Sequence, residues 1–135
     1  MPLEIYKNKR KFSETPEPEG KIKKSPEKRP IFVIHKHQAS HLHYDLRLEM
    51  SGALRSWAVP KSPEALSEKG IKRLAIQVED HPLEYAKFKG VIPEGNYGAG
   101  KVEIWDKGKY ELKSVDSKKI EFAIHGKKMK GNYVL

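Results

Sequence analysis

The sequence predicts a mainly all-β fold, an antiparallel β-barrel or sandwich with short helices and a partly flexible N-terminal arm. Three observations predict it. From Ile31 onward, short segments of alternating polarity are separated by turn residues at the spacing of all-β domains. Long helical periodicity is absent, and residues 1–30 carry too few apolar side chains to close a core. At 135 residues, 37% of them apolar, the chain can build one modest core and not two full domains.

The arm, residues 1–30, holds five of the nine prolines and nine Lys or Arg. Such a segment is expected to be mobile. The β-domain, residues 31–135, is expected to place strands at 31–37, 42–50, 53–59, 72–79, 101–106, 109–113, 119–124 and 132–135. Ser51-Gly52 and Lys107-Gly108 have the composition of tight hairpin turns. Ser62 to Lys69 reads as a short helix, with Ser62 as cap and Pro63 in the first turn.

With 27 Lys and Arg against 18 Asp and Glu, the formal charge of +9 attracts polyanions, and nucleic acid is the first partner to consider. A basic protein whose charge only prevents association is the competing reading. The absence of cysteine excludes disulfides, thiolate metal sites and a cysteine nucleophile. No apolar run approaches the ~20 residues of a membrane span, and the N-terminus lacks the apolar core of a signal peptide. The expected location is intracellular, in cytoplasm or nucleoid.

The segment His43-Tyr44-Asp45-Leu46-Arg47-Leu48-Glu49-Met50 alternates throughout. In a strand, His43, Asp45, Arg47 and Glu49 share one face, and Tyr44, Leu46, Leu48 and Met50 the other. An imidazole and a carboxylate two residues apart on a strand aim at one point, which suits a divalent cation. Arg47 would sit one step along, where it can hold a phosphate. If residues 38–41 turn the chain back, His37 lies beside His43 and supplies a third ligand. Two imidazoles and one carboxylate leave positions open for water and substrate, as a catalytic metal requires. Four of the six histidines, His35, His37, His41 and His43, fall within nine residues. A plain solvated sheet face is the competing account of the alternation, which the histidine density weakens, and a structural zinc site on those four histidines is a further alternative.

The segment Lys72 to His81 repeats the device, with Leu74, Ile76 and Val78 on one face and Arg73, Gln77, Glu79 and His81 on the other. His81 precedes Pro82, which holds its backbone extended, and Tyr85 follows four residues on. Both can donate protons or hydrogen bonds near a phosphate, or form an ordinary turn histidine and half-buried tyrosine. Lys61 ends a strand, where it reaches an anion or is solvated. Trp57 and Trp105 read as core. Gly95 to Lys101 fits most of a phosphate loop, but Val102 stands where Ser or Thr is needed, and Val102-Glu103-Ile104-Trp105 alternates as a strand where a helix should begin. The glycines are expected to shape a turn. His125 is assigned no role.

The ordered motifs F-V-I-H-K-H-Q-A-S-H-L-H-Y-D-L-R-L-E, S-W-A-V-P-K, K-R-L-A-I-Q-V-E-D-H-P-L-E-Y and G-V-I-P-E-G-N-Y-G-A-G together resemble the 3′-phosphoesterase domain of DNA ligase D, of bacterial-type end joining. The resemblance runs from about Tyr6 to the C-terminus. It implies an antiparallel β-barrel with a crescent-shaped groove. It also implies manganese-dependent removal of a 3′-terminal ribonucleoside and then of the remaining 3′-phosphate, giving a 3′-OH. Cobalt or zinc are the alternative metals. By resemblance His37, His43 and Asp45 take the metal positions, and Arg47, Lys61, Arg73, His81 and Tyr85 the phosphate-binding or catalytic ones. The arm motifs Lys9-Arg10-Lys11-Phe12 and Thr15-Pro16-Glu17-Pro18 implicate Arg10 and Glu17 and imply that the arm folds over the site. Lys11 departs from the acidic residue usual there. The chain resembles a free-standing member, expected to be a monomer that acts on DNA or DNA/RNA primer-template 3′ ends beside a separately encoded ligase or polymerase. The alternative function is a non-catalytic nucleic-acid-binding β-barrel module.

Overall fold

The computed structural model describes residues 3–10, 12–17, 30–60, 75–116 and 119–135. Lys11, Lys61, Arg73 and the helix expected over Ser62 to Lys69 lie outside the described residues. After a five-residue helix, α1 (Glu4–Asn8), the chain forms β1 (Ile31–Gln38), β2 (Leu42–Met50), β3 (Ala53–Val59) and β4 (Ile76–Pro82). A 3₁₀ turn (Leu83–Lys87) leads to β5 (Gly90–Ile92), β6 (Gly100–Val115), β7 (Ile120–His125) and β8 (Lys130–Val134). All pairings are antiparallel, in the order β4-β3-β2-β1-β6-β7-β8, with β5 added to the start of β6.

The mainly antiparallel β fold is the expected one, but the expected barrel closure is absent among the described residues. Strands β4 and β8 end the order without pairing each other, which leaves one open sheet. The expected hairpin at Lys107-Gly108 is also corrected. Segments 101–106 and 109–113 are one continuous strand, β6, which pairs β1 along its first part and β7 along its second. Gly108 is there because an added Cβ would collide with the His125 carbonyl oxygen and stand 3.1 Å from the Phe32 ring. At Ser51-Gly52 both residues have positive φ, 54° and 81°, as the two-residue β2–β3 hairpin requires.

Alternation sorts the sheet into two covered faces. Phe32, Ile34, Tyr44, Leu46, Leu48, Trp57, Tyr110 and Phe122 belong to the larger core cluster, against which Trp105 packs partly buried. The opposite face is not solvated either. Tyr6 of α1, Tyr85 and Ala86 of the 3₁₀ turn, and Phe88 cover it together with Val33, Leu54 and Val102. The ionisable row of β2 therefore lies beneath the first part of the arm, and Asp45, Arg47 and Glu49 are buried.

Strand β4 inverts the expected sense of its two faces. Ile76 is 52% exposed, while the Glu79 and His81 side chains are buried. Burial at Glu79 and His81 is set by Arg10, which closes over both, and Ile76 is left exposed on the edge strand.

Candidate metal centre

The β1–β2 hairpin places His37 directly opposite His43 and His35 opposite Asp45. Side chains of a directly opposed pair and of its diagonal neighbour are within reach on one face. His37, His43 and Asp45 accordingly present ligand atoms that all lie within 4.8 Å of one another.

Each imidazole has one nitrogen engaged elsewhere. His37 donates its Nε2–H to the Gly98 carbonyl at 2.6 Å and turns Nδ1 toward Asp45 Oδ2, 3.7 Å away. His43 donates Nδ1–H to the His41 carbonyl at 3.2 Å and turns Nε2 toward Asp45 Oδ1, 3.4 Å away. A backbone carbonyl on the far nitrogen fixes tautomer and ring orientation, the arrangement that prepares a histidine for metal. Burial works to raise the Asp45 pKa, but the Arg47 guanidinium and the two imidazoles hold it well below the usual carboxylate range. The hydrogen bond to Asp45 raises His43 against the opposing effect of burial. A cation bound there would displace that proton. The donor set fits a divalent metal and does not choose among manganese, cobalt and zinc.

Behind the triad lies a second layer. Arg47 donates Nη2–H to Asp45 Oδ2 at 3.3 Å, Nε–H to His35 Nδ1 at 3.1 Å and Nη1–H to Ser56 Oγ at 2.9 Å. Its guanidinium lies 4.8 Å from the centre of the Tyr85 ring. His35 gives its Nε2–H to the Phe88 carbonyl, so neither of its nitrogens is left for a metal. His41 is exposed in the connecting loop. These placements remove the basis for a four-histidine structural site.

The arm completes the enclosure. Arg10 donates to Glu17 at 3.0 Å, to Glu79 at 3.2 Å and to His81 Nε2 at 3.2 Å, and its guanidinium stands 4.2 Å from the centre of the Tyr6 ring. Tyr85 donates its hydroxyl to Glu17 at 2.8 Å. Residues 3–10 and 12–17 are thus joined to the sheet by buried ion pairs. Charges this deeply buried persist only when paired and hydrogen-bonded.

His81 gives its Nδ1–H to the Glu79 carbonyl at 2.9 Å and accepts from Arg10 at Nε2. Burial first, then the Arg47 and Arg10 charges, push its pKa well down. In this arrangement it is a neutral acceptor with no proton free for a leaving group. Burial raises the Tyr85 phenol well above its usual value, and its proton is already committed to Glu17. The structure therefore brings Arg47, His81, Tyr85, Arg10 and Glu17 together beside the triad. Four contributors went unread in the sequence: Ser56, Glu79, the Gly98 carbonyl and the covering ring of Tyr6. Glu79 alone had a signal, its shared parity with His81.

The neutral histidines have a consequence for stability. Burial, followed by Arg47, lowers His35 from 6.5 to about 3, and His81 moves in the same direction. Between these values the unfolded chain binds protons that the folded chain refuses, so stability falls as pH drops below about 6.5. His43 is raised and acts in the opposite sense, but two strongly depressed rings outweigh it. At pH 5, His35 alone accounts for about 2 kcal/mol. Urea midpoints at pH 7.5 and pH 5 are expected to show this loss, and an equal or higher midpoint at pH 5 would contradict the neutral assignment.

Residues 35–135 match the family model described as the DNA Ligase D 3′-phosphoesterase domain. Over 140 residues, 99% of the chain is 46% identical to the multifunctional non-homologous end joining protein LigD of Pseudomonas aeruginosa. Over 138 residues, 98% of it is 45% identical to the multifunctional non-homologous end joining DNA repair protein LigD of Mycobacterium tuberculosis. A third relative, from Mycolicibacterium smegmatis, is 45% identical over 145 residues. The chain spans 16%, 18% and 19% of the lengths of these three relatives.

Proposed function

Because this chain belongs to the DNA ligase D 3′-phosphoesterase domain family, we propose that it is a metal-dependent phosphoesterase that trims DNA 3′ ends for end joining. It removes a 3′-terminal ribonucleoside and then the 3′-phosphate. The observation that carries this reading is the convergence of His37, His43 and Asp45, with each imidazole oriented by a backbone carbonyl. When bound there, a divalent metal, manganese by preference and cobalt or zinc in its place, supplies Lewis-acid polarisation of a phosphate oxygen and a water of lowered pKa.

The chain's own residues bind and orient. Arg47, fixed by His35 and Ser56 and stacked on Tyr85, neutralises a phosphate oxygen next to the triad. Lys61 and Arg73 neutralise the same phosphate charge. Arg10 and Glu17 hold the arm over the site and keep water out. His81 acts here as a hydrogen-bonding and positioning group, in preference to a general acid, because both of its nitrogens are engaged. The basic surface attracts the DNA, and the partner is a ligase or polymerase inside the cell. No helix among the described residues is long and apolar enough to cross a membrane.

The test is a primer-template whose primer ends in one ribonucleotide, incubated with and without Mn²⁺ and followed by product sizing. Shortening to a 3′-phosphate and then to a 3′-OH, only with metal, is the expected result. Unchanged primer under every metal, with salt-sensitive binding retained, would replace this reading by a non-catalytic nucleic-acid-binding module.

A further inference from the structure

The loop between β5 and β6 touches the metal centre on one side and the arm on the other. Gly98 accepts the Nε2–H of His37 and has a φ of +75°, and a Cβ there would stand 3.4 Å from His37 Cε1. Its neighbour Tyr97 leaves the loop in the other direction and is 50% exposed. Lys9 of the arm donates to the Tyr97 hydroxyl at 3.3 Å, and its ammonium stands 4.6 Å from the ring centre. The Arg10 guanidinium lies 5.3 Å from the same ring. Lys9 and Arg10 also share Glu79. Two adjacent residues of one short loop therefore join the segment that covers the site to the carbonyl that aims a candidate ligand.

We propose that Tyr97 is a positioning residue that couples the seating of the N-terminal arm to the orientation of His37, through the loop it shares with Gly98. This rests on the metal-centre reading given above. The contacts of the tyrosine are with Lys9 and Arg10 of the arm, and its neighbour Gly98 meets the ligand ring. Tyr97 acts by holding the loop where the Gly98 carbonyl meets the His37 ring. An exposed aromatic ring clasped by two cations is strong enough to bias a loop and weak enough to let go when the arm lifts.

The test uses the full chain and two measurements that do not depend on turnover. Mn²⁺ affinity is measured by isothermal titration, and the His37 Nε2–H signal is followed by NMR in metal-free protein. Tyr97→Ala is expected to weaken Mn²⁺ binding about tenfold, the usual loss when an outer-shell orienting contact goes. It is also expected to speed exchange of the His37 proton. Tyr97→Phe keeps the ring under both cations and is expected to stay close to the parent. Lys9→Met cuts the same contact from the arm side and is expected to match Tyr97→Ala. It serves as the test if the tyrosine variant does not fold.

Unchanged affinity and exchange in Tyr97→Ala, with or without a lower melting temperature, would overturn the coupling and leave the metal centre standing. A parent chain that neither binds Mn²⁺ nor processes a 3′ end would instead overturn the metal centre, and the coupling with it.

Discussion

Asp45→Asn is expected to lower phosphate release from a 3′-phosphorylated DNA primer by at least about 10³-fold and to abolish tight Mn²⁺ binding. Asp45 is the member of the triad that both imidazoles face, and it is the carboxylate that pairs with Arg47. The amide has the same shape, but it is a poor metal ligand and no longer offsets the cations around it. Metal charge stabilisation is worth several kcal/mol in such sites, and roughly 4 kcal/mol corresponds to a thousandfold in rate. His43→Ala, at a partly exposed ligand, should show a comparable activity loss with little change in stability. Phosphate assays, titration with Mn²⁺ and a urea melt on each variant separate chemistry from folding. Full activity in either folded variant would remove the triad from the mechanism.

The second large effect is expected at Arg10. Its side chain is 5% exposed and joins two carboxylates, Glu17 at 0% and Glu79 at 4%. Among the described residues, Arg10→Ala leaves Glu17 with the Tyr85 and Thr15 hydroxyls for partners. Breaking a buried ion pair from one side costs about 3–5 kcal/mol. The arm should then detach, and activity fall on the order of a hundredfold through loss of an oriented donor array. Arg10→Lys should recover part of the stability but less of the activity, because an ammonium cannot span Glu17, Glu79 and His81 as the guanidinium fork does. In the double variant Arg10→Ala with Glu17→Gln, the losses should not add, since the second change removes the charge that the first exposed. Urea denaturation and proteolysis of the arm give the readout. An Arg10→Ala chain with parental stability and an uncleaved arm would contradict the ion-pair account.

What was legible in the sequence follows from distance along the chain. His37, His43, Asp45 and Arg47 could be read because alternation within a strand and a short hairpin are local, and β1 and β2 pair in the expected sense. The same alternation is silent on environment. Period two says that residues share a face, but not whether that face meets water, and the row of β2 is buried by Tyr6 and the 3₁₀ turn. The Arg10–Glu79 contact spans 69 positions and that of His37 with Gly98 spans 61, so no local pattern announces either. A backbone carbonyl also has no side-chain signature by which it could be picked out. At Lys107-Gly108 a turn-like dipeptide stood for close approach of neighbouring groups instead, which composition does not distinguish. The inward turn of Glu79 and His81 was visible as parity, but its depth depended on cations from the arm.

The hairpin formed by β1 and β2 also sets an order of assembly. All three candidate ligands lie between residues 37 and 45, so the pieces of the coordination sphere meet in a contact that closes early, on the microsecond scale of hairpins. The Gly98 carbonyl reaches His37 only when β6 docks on β1, and that contact waits on closure of a loop of about sixty residues. The candidate ligands are thus gathered by a local contact and aimed by a distant one.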